Sequence, residues 1–188
     1  LEAMEEGQVT IEGQTRPLPT PIFVIATQNP TYQIGTFSLP ESQLDRFLMR
    51  ISLGYPDTKA ERPLLTRQDR RTLLKTLPAC IEPAQLVKLQ SAADAVHASD
   101  ALLDYVQALL DFSRQSPQFT AGLSPRAGLA LLHSAKAWAF LSGRDHALPD
   151  DVQVVLPHVA GHRLRYAADS NDEKPERLVE LLQGNAIT

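Results

Sequence analysis

The sequence predicts a mainly α-helical chain, in which a short piece of an α/β sheet is followed by an all-helical bundle. Residues 22–26 form a continuous apolar run rich in β-branched side chains, which is typical of a strand buried on both faces of a parallel sheet. From residue 57 onward, apolar residues recur at helical spacing. The chain has 188 residues, enough for one ordinary domain or two small ones. We therefore predict two parts, residues 1–56 and residues 57–188.

The first part is predicted to hold a hairpin, two strands and a short helix. Residues 9–18 read as a hairpin around a Glu-Gly-Gln turn. Residues 49–53 alternate in polarity, which favours a second strand with one buried face. Ser38 and Glu41 form a capping-box pattern, which predicts a helix that continues through Phe47.

The second part is predicted to be a series of helices. An N-cap serine or a proline in the first turn marks each start, since both residues favour that position. These starts fall at Pro83, Ser99, Ser124, Pro149 and Pro175. The apolar stripe of the third helix is expected to reach Trp138 and Leu141. Pro157 is expected to break the fourth helix in two, because proline removes a helical hydrogen bond.

The composition excludes several classes of protein and site. A net charge of −4 gives no overall field that draws the chain to nucleic acid or to an anionic membrane. No apolar run is long enough for a membrane span. The single cysteine, Cys80, excludes internal disulfides and fits a reducing cytoplasm. The five histidines show no metal-binding spacing, so we expect no metal site.

Two motifs that hold ATP are missing from the printed sequence. It contains no Gly-x-x-x-x-Gly-Lys-Ser/Thr loop to cradle phosphates, and no apolar strand ending in Asp-Glu to hold Mg²⁺. The chain opens on Leu-Glu-Ala-Met-Glu-Glu, which reads as the end of a helix already under way. We therefore expect a fragment of a longer protein that hydrolyses no ATP by itself and binds no cofactor tightly.

Asn29 is the first candidate functional residue. It directly follows the predicted buried strand, and ligands of open α/β sheets bind beyond the carboxyl ends of strands. Its amide could orient a water molecule or donate to a phosphate oxygen. The alternative is a turn asparagine that satisfies its own backbone.

Arg46 is the second candidate. It lies on the predicted short helix, from which a guanidinium could reach a phosphate on a neighbouring molecule. The alternative is an ordinary surface ion pair with Asp45 or Glu41.

Arg126 is the third candidate, in the first turn of the helix that Ser124 caps. The helix dipole places partial positive charge at that end, which is unfavourable for a cation. An arginine there marks a place where an anion could bind, with backbone N–H groups and guanidinium converging on it. The alternative is that solvent screens the charge, so that its cost is only tenths of a kcal/mol.

Taken together, these motifs resemble the MoxR family of AAA+ ATPases. The resemblance is carried by the series LEAMEE, FVIATQNP, GT, LPE and QLDRF in residues 1–47, and continues in SPRA at 124–127, GRD at 143–145 and HRL at 162–164. It covers most of the chain, weakly in residues 59–98 and after residue 167. Gly161 departs from the family, since similar sequences often carry a bulkier or basic residue there.

The resemblance implies a fold and three roles. Residues 1–56 would be the C-terminal part of a P-loop AAA+ core, and residues 57–188 its helical lid. Asn29 would be sensor 1, which positions the attacking water, and Arg126 would be sensor 2, which brings the lid onto the phosphates. Arg46 would be the arginine finger, acting on nucleotide held by the adjacent subunit.

The resemblance also implies cofactors and partners. The full-length protein would use ATP and Mg²⁺ as a cytoplasmic homo-oligomer, a hexameric ring. It would remodel client proteins or insert metal cofactors, with a von Willebrand factor A-domain protein as a candidate partner. Two other readings stay open: a non-catalytic helical interaction module with a remnant ATPase core, and a DNA-associated helicase-like ATPase, which the acidic net charge disfavours.

Overall fold

The computed structural model describes residues 2–28, 39–65, 74–165 and 167. Its first elements are α1 (Glu2–Glu5), the strands β1 (Gln8–Ile11) and β2 (Gln14–Pro17), α2 (Glu41–Leu44) and α3 (Thr58–Leu65). They are followed by α4 (Pro83–Asp94), α5 (Asp100–Gln115), α6 (Pro125–Leu141) and α7 (Pro149–Ala160). The predicted mainly helical architecture is confirmed. The helix predicted from Pro175 lies outside the described residues.

The predicted hairpin is present, with β1 and β2 antiparallel and Ile11 opposite Gln14. Glu12 and Gly13 form its two-residue turn, with φ of 52° and 77°. Positive φ at both positions gives the turn whose twist matches that of the flanking strands. This agreement reflects a local signal, because the residues that make the turn also fix the register.

The two predicted sheet strands are not formed, which corrects the sequence prediction. Residues 22–28 and 49–53 are irregular rather than strands, and Phe23, Ile25 and Leu53 are exposed. Within the described residues, β1 and β2 make up the sheet, and neither pairs with these segments. A strand needs a neighbour to satisfy its N–H and C=O groups, and an apolar run cannot form a ladder by itself.

The short helix is also shorter than predicted. Pro40 is the N-cap of α2 and Asp45 its C-cap, so the helix ends before Phe47. The chain continues as a tight turn, in which the N–H of Arg46 donates to Gln43 O at 3.2 Å and that of Phe47 to Leu44 O at 3.1 Å. Ser38, the predicted cap, lies outside the described residues. Arg46 therefore belongs to a turn rather than to a regular helix.

Helices α5, α6 and α7 pack into a bundle whose starts follow the predicted signals. Ser99 Oγ accepts from the Leu102 N–H at 3.2 Å, and Ser124 Oγ accepts from the Ala127 N–H at 3.1 Å. Each cap satisfies one of the N–H groups that a helix start leaves unpaired. The fully buried side chains of the core include Leu102, Leu109, Leu123, Leu131, Val152, Leu156 and Val159.

Two details of the bundle differ from the predictions. Pro157 lies inside α7 without breaking it, and the helix ends three residues later at Ala160. Trp138 and Leu141 are exposed, whereas Ala135 and Ala139 are buried. Small side chains on the buried face let α6 pack closely against its neighbours, and the two large residues lie on the exposed face.

A buried ion pair fixes the start of α7. Asp151 accepts from Arg144 Nη1 at 2.7 Å and from Arg144 Nη2, and it also accepts from the Leu148 N–H at 2.8 Å. The hydrogen bond from Arg144 is the main cause that holds the pKa of Asp151 below its ordinary value, against the opposing effect of burial. Asp151 therefore joins the loop residue Arg144 to the first turn of α7.

Candidate functional site

The three predicted site residues have different outcomes. Asn29 lies outside the described residues. Arg46 lies half-buried in the turn after α2, and Arg126 lies in the first turn of α6, as predicted. The structure brings the segment 41–50, which carries Arg46, against the start of α6 and the end of α7.

Arg126 faces a carboxylate. Its Nη1 lies 3.3 Å from Asp45 Oδ2, and its side chain is 45% exposed. Asp45 is the C-cap of α2, a helix of four residues. The carboxylate that faces Arg126 at the start of α6 therefore comes from the chain itself.

Asp45 gathers further donors. Ser124 Oγ lies 2.9 and 3.0 Å from its two oxygens, and Arg163 Nε donates to Oδ1 at 2.8 Å. Burial by itself would raise the pKa of the Asp45 carboxyl, but the hydrogen bonds from Arg163 and Ser124 and the charge of Arg163 hold it below 3.8. Asp45 is therefore an ionised carboxylate at neutral pH.

Arg163 is the functional residue that sequence reasoning missed. Arg163 follows the end of α7, where a basic side chain is ordinarily solvated, yet its side chain is only 4% exposed. Its Nη2 donates to the backbone oxygens of Asp45 and Phe47 at 3.0 and 2.7 Å, and its Nη1 donates to Leu48 O at 3.2 Å. One guanidinium therefore holds the backbone on both sides of Arg46.

Two histidines add to this contact. His162 Nε2 lies 3.1 Å from Phe47 O, and Arg50 donates its N–H to His158 O at 2.8 Å. Burial, followed by the charge of Arg163, lowers the pKa of His162 to about 4. His162 is therefore neutral at pH 7 and donates from Nε2, because a carbonyl oxygen can only accept.

The contact around Asp45 is made of charged and hydrogen-bonding groups. Within the parts of the chain that the structure describes, no three His, Cys, Asp or Glu side chains come together as metal ligands. In those same parts, no helix is long and apolar enough to cross a membrane. The chemistry available at this contact is electrostatic: the partly exposed Arg126 guanidinium at the start of α6 pairs with the Asp45 carboxylate, which the buried Arg163 also holds.

Two family models match the chain. Residues 1–49 match the AAA model, described as an ATPase family associated with various cellular activities, and residues 111–182 match the AAA lid domain. Asp45 and Arg46 fall in the first match, whereas Ser124, Arg126 and Arg163 fall in the second. The contact around Asp45 therefore joins the two matched regions.

Relatives cover the whole chain. It is 40% identical over 187 residues to YeaC of Bacillus subtilis, covering 100% of this chain and 56% of that protein. It is 36% identical over 210 residues to chaperone MoxR1 of Mycobacterium tuberculosis, covering 100% of this chain and 54% of the relative. Protein MoxR of Paracoccus denitrificans is 30% identical over 85% of this chain and 52% of its own length. The chain thus spans about half the length of these curated relatives.

A solved structure supports the same assignment. The crystal structure of a candidate ATPase from Cytophaga hutchinsonii superposes with a TM-score of 0.83 at 31% identity, covering 97% of this chain and 59% of that one. With an AAA match before an AAA lid match and MoxR proteins among its relatives, the chain belongs to the MoxR family of AAA+ ATPases.

Proposed function

We propose that this chain is the sensing and lid part of an ATPase that hydrolyses ATP with Mg²⁺. The observation that carries the proposal is the contact of Arg126 with Asp45. An anionic oxygen already lies against the start of the lid helix α6, where a phosphate oxygen would make the same kind of contact. Residues 1–56 would close the ATPase core, and residues 57–188 would form the lid.

The proposed roles divide between two nucleotide sites. Asn29 would position the attacking water, and Arg126 would bring the lid onto the phosphates of the same subunit. Arg46 would act on nucleotide held by the adjacent subunit, where its charge stabilises the charge that develops in phosphoryl transfer. The phosphate loop and the acids for Mg²⁺ would come from sequence outside the 188 residues.

An arginine acting on a neighbour makes turnover depend on assembly. We propose a cytoplasmic homo-oligomer closed into a ring, in which each subunit receives one arginine and donates one; six subunits is the number that the family resemblance implies. Lid movement would supply the mechanical output, used on client proteins or for metal-cofactor insertion, with a von Willebrand factor A-domain protein as a candidate partner. The name of the relative chaperone MoxR1 supports a chaperone-like role.

The test uses the whole gene product, meaning the complete reading frame that contains these residues. Arg46→Ala should abolish ATP turnover and leave nucleotide binding within about twofold, since the finger acts in the transition state of the neighbouring site. Arg62→Ala, an exposed arginine on α3, is the matched control and should turn over normally. Unchanged turnover in Arg46→Ala would exclude the finger role. A gene without a phosphate loop would favour the non-catalytic module instead.

A further inference from the structure

We infer that Arg163 is a positioning residue for Arg46, and that it ties the turn carrying Arg46 to the end of the lid helix α7. The inference rests on the proposed function, in which Arg46 acts on the neighbour's nucleotide. Beyond that function, we infer that the lid of the same subunit orients the Arg46 side chain.

Arg163 donates most of its hydrogen bonds to the backbone around Arg46. Three of them reach backbone oxygens of residues 45, 47 and 48, on both sides of Arg46. Backbone contacts fix the path of the chain whatever side chains it carries. The planar guanidinium spreads five N–H donors over three nitrogens, so it reaches these carbonyls and the Asp45 carboxylate together, whereas the three donors of lysine all sit on one nitrogen.

Arg163 is itself held at both ends of this contact. Its Nε donates to the Asp45 carboxylate at 2.8 Å, and its Nη1 also donates to Val159 O in the last turns of α7. The side chain is 4% exposed, so water does not compete for these bonds. The 45–48 turn and the end of α7 therefore move as one body.

The two arginines that contact Asp45 differ in burial and distance. Arg163 is buried at 2.8 Å, whereas Arg126 is 45% exposed and its Nη1 lies 3.3 Å away. A phosphate can draw the exposed Arg126 away from the carboxylate, because it carries more charge and more acceptor oxygens. Arg163 remains on the turn when that happens. Lid closure on nucleotide would therefore carry the turn of Arg46 along with it.

The main test is Arg163→Lys in the whole gene product. Lysine keeps the charge beside Asp45 and loses the fork of carbonyl contacts. We expect turnover to fall roughly tenfold to a hundredfold, because small misplacements of a catalytic group have effects of that size. Nucleotide affinity should stay within about twofold. Arg165→Lys, two residues along and paired only on the surface with Glu41, is the matched control and should keep normal turnover.

Mixed assemblies separate positioning from general damage. Arg163→Lys subunits keep a competent nucleotide site but donate a misplaced Arg46, and Arg126→Ala subunits have the opposite defect. Mixing the two should give more turnover than the mean of the separate variants, because well-placed arginines then meet competent sites. Turnover equal to that mean, or affinity that falls as much as turnover, would overturn the inference.

The exchange rates of backbone amides in the 188-residue chain can be measured without ATPase activity. In Arg163→Lys, amides of residues 41–50 should exchange faster, while those of α5 keep their wild-type rates. Unchanged exchange at 41–50 would overturn the positioning role. A wild-type gene product without turnover would instead refute the proposed function, and the exchange rates would still decide whether Arg163 holds the turn.

Discussion

Asparagine in place of Asp45 tests how strongly the buried ion pair holds the segment 41–50 to the lid. The change keeps the size of the side chain and removes its charge. Arg163, 4% exposed, donates to this carboxylate at 2.8 Å. Removing one partner of a buried pair lowers the free energy of unfolding by about 3–5 kcal/mol, because the other charge stays buried without its counterion.

Two features reduce that figure here. Asp45 is 21% exposed, so part of the pair is already screened by water. Arg163 also keeps its backbone acceptors, and asparagine retains one oxygen that can accept from Nε. We therefore expect Asp45→Asn to lower the free energy of unfolding of the 188-residue chain by about 2 kcal/mol.

The assay is urea unfolding at pH 7, followed by far-UV circular dichroism. With a slope of about 2 kcal/mol per molar urea, the midpoint should fall by about 1 M. Glu41→Gln is the control, since Glu41 pairs with Arg165 on the surface, and it should cost at most about 0.5 kcal/mol. If both variants shift the midpoint equally, the Asp45–Arg163 pair does not hold the segment and the reasoning is wrong.

Further predictions concern pH and close packing in the same chain. His162 has a pKa of about 4 in the folded state, below its ordinary 6.5, so only the unfolded chain takes up a proton between these values. The free energy of unfolding should therefore fall as pH drops from 6.5 to 4. Discounted for solvent screening, the loss between pH 7 and pH 5 is about 1 kcal/mol. The loss should be absent in His162→Gln. Gly122→Ala should cost more than about 2 kcal/mol in urea unfolding, because a Cβ there would meet Arg114 Cα at 2.5 Å. Gly128→Ala should stay within about 1 kcal/mol, since its Cβ meets only the flexible end of Leu110 and alanine favours a helix; equal losses for the two glycines would contradict the packing argument.

The helix starts were predictable because their signals are local. The Ser124 hydroxyl and the N–H it caps are three residues apart, and Pro149 sets φ at its own position. The strands were not predictable in the same way. Residues 22–26 have the composition of a buried strand, but whether they pair depends on partners that composition does not specify.

The site was predictable in part. Arg126 could be singled out because its charge lies at the unfavourable end of a helix. Arg163 gives no such signal, since a basic residue after the end of α7 is favourable by itself. Its partner Asp45 lies 118 residues away in sequence, so only the folded chain shows that the two meet.

The contact between Asp45 and Arg126 has a consequence for nucleotide affinity. A phosphate that binds Arg126 must first separate it from the carboxylate, so Asp45 competes with the ligand. In the whole gene product, Asp45→Asn should therefore tighten ATP binding by about two- to fivefold, the range expected for a partly exposed ion pair.

The same variant should turn over ATP more slowly, because Arg163 loses its counterion and the turn of Arg46 loosens. Asp45→Asn should therefore bind ATP more tightly and turn it over more slowly, which is an unusual combination. Arg163→Lys should slow turnover at unchanged affinity, so it separates the effect on turnover from the effect on binding. Titration of a fluorescent ATP analogue measures the affinity, and steady-state kinetics measure the turnover. Affinity that is unchanged or weaker in Asp45→Asn would mean that Arg126 does not exchange the carboxylate for phosphate.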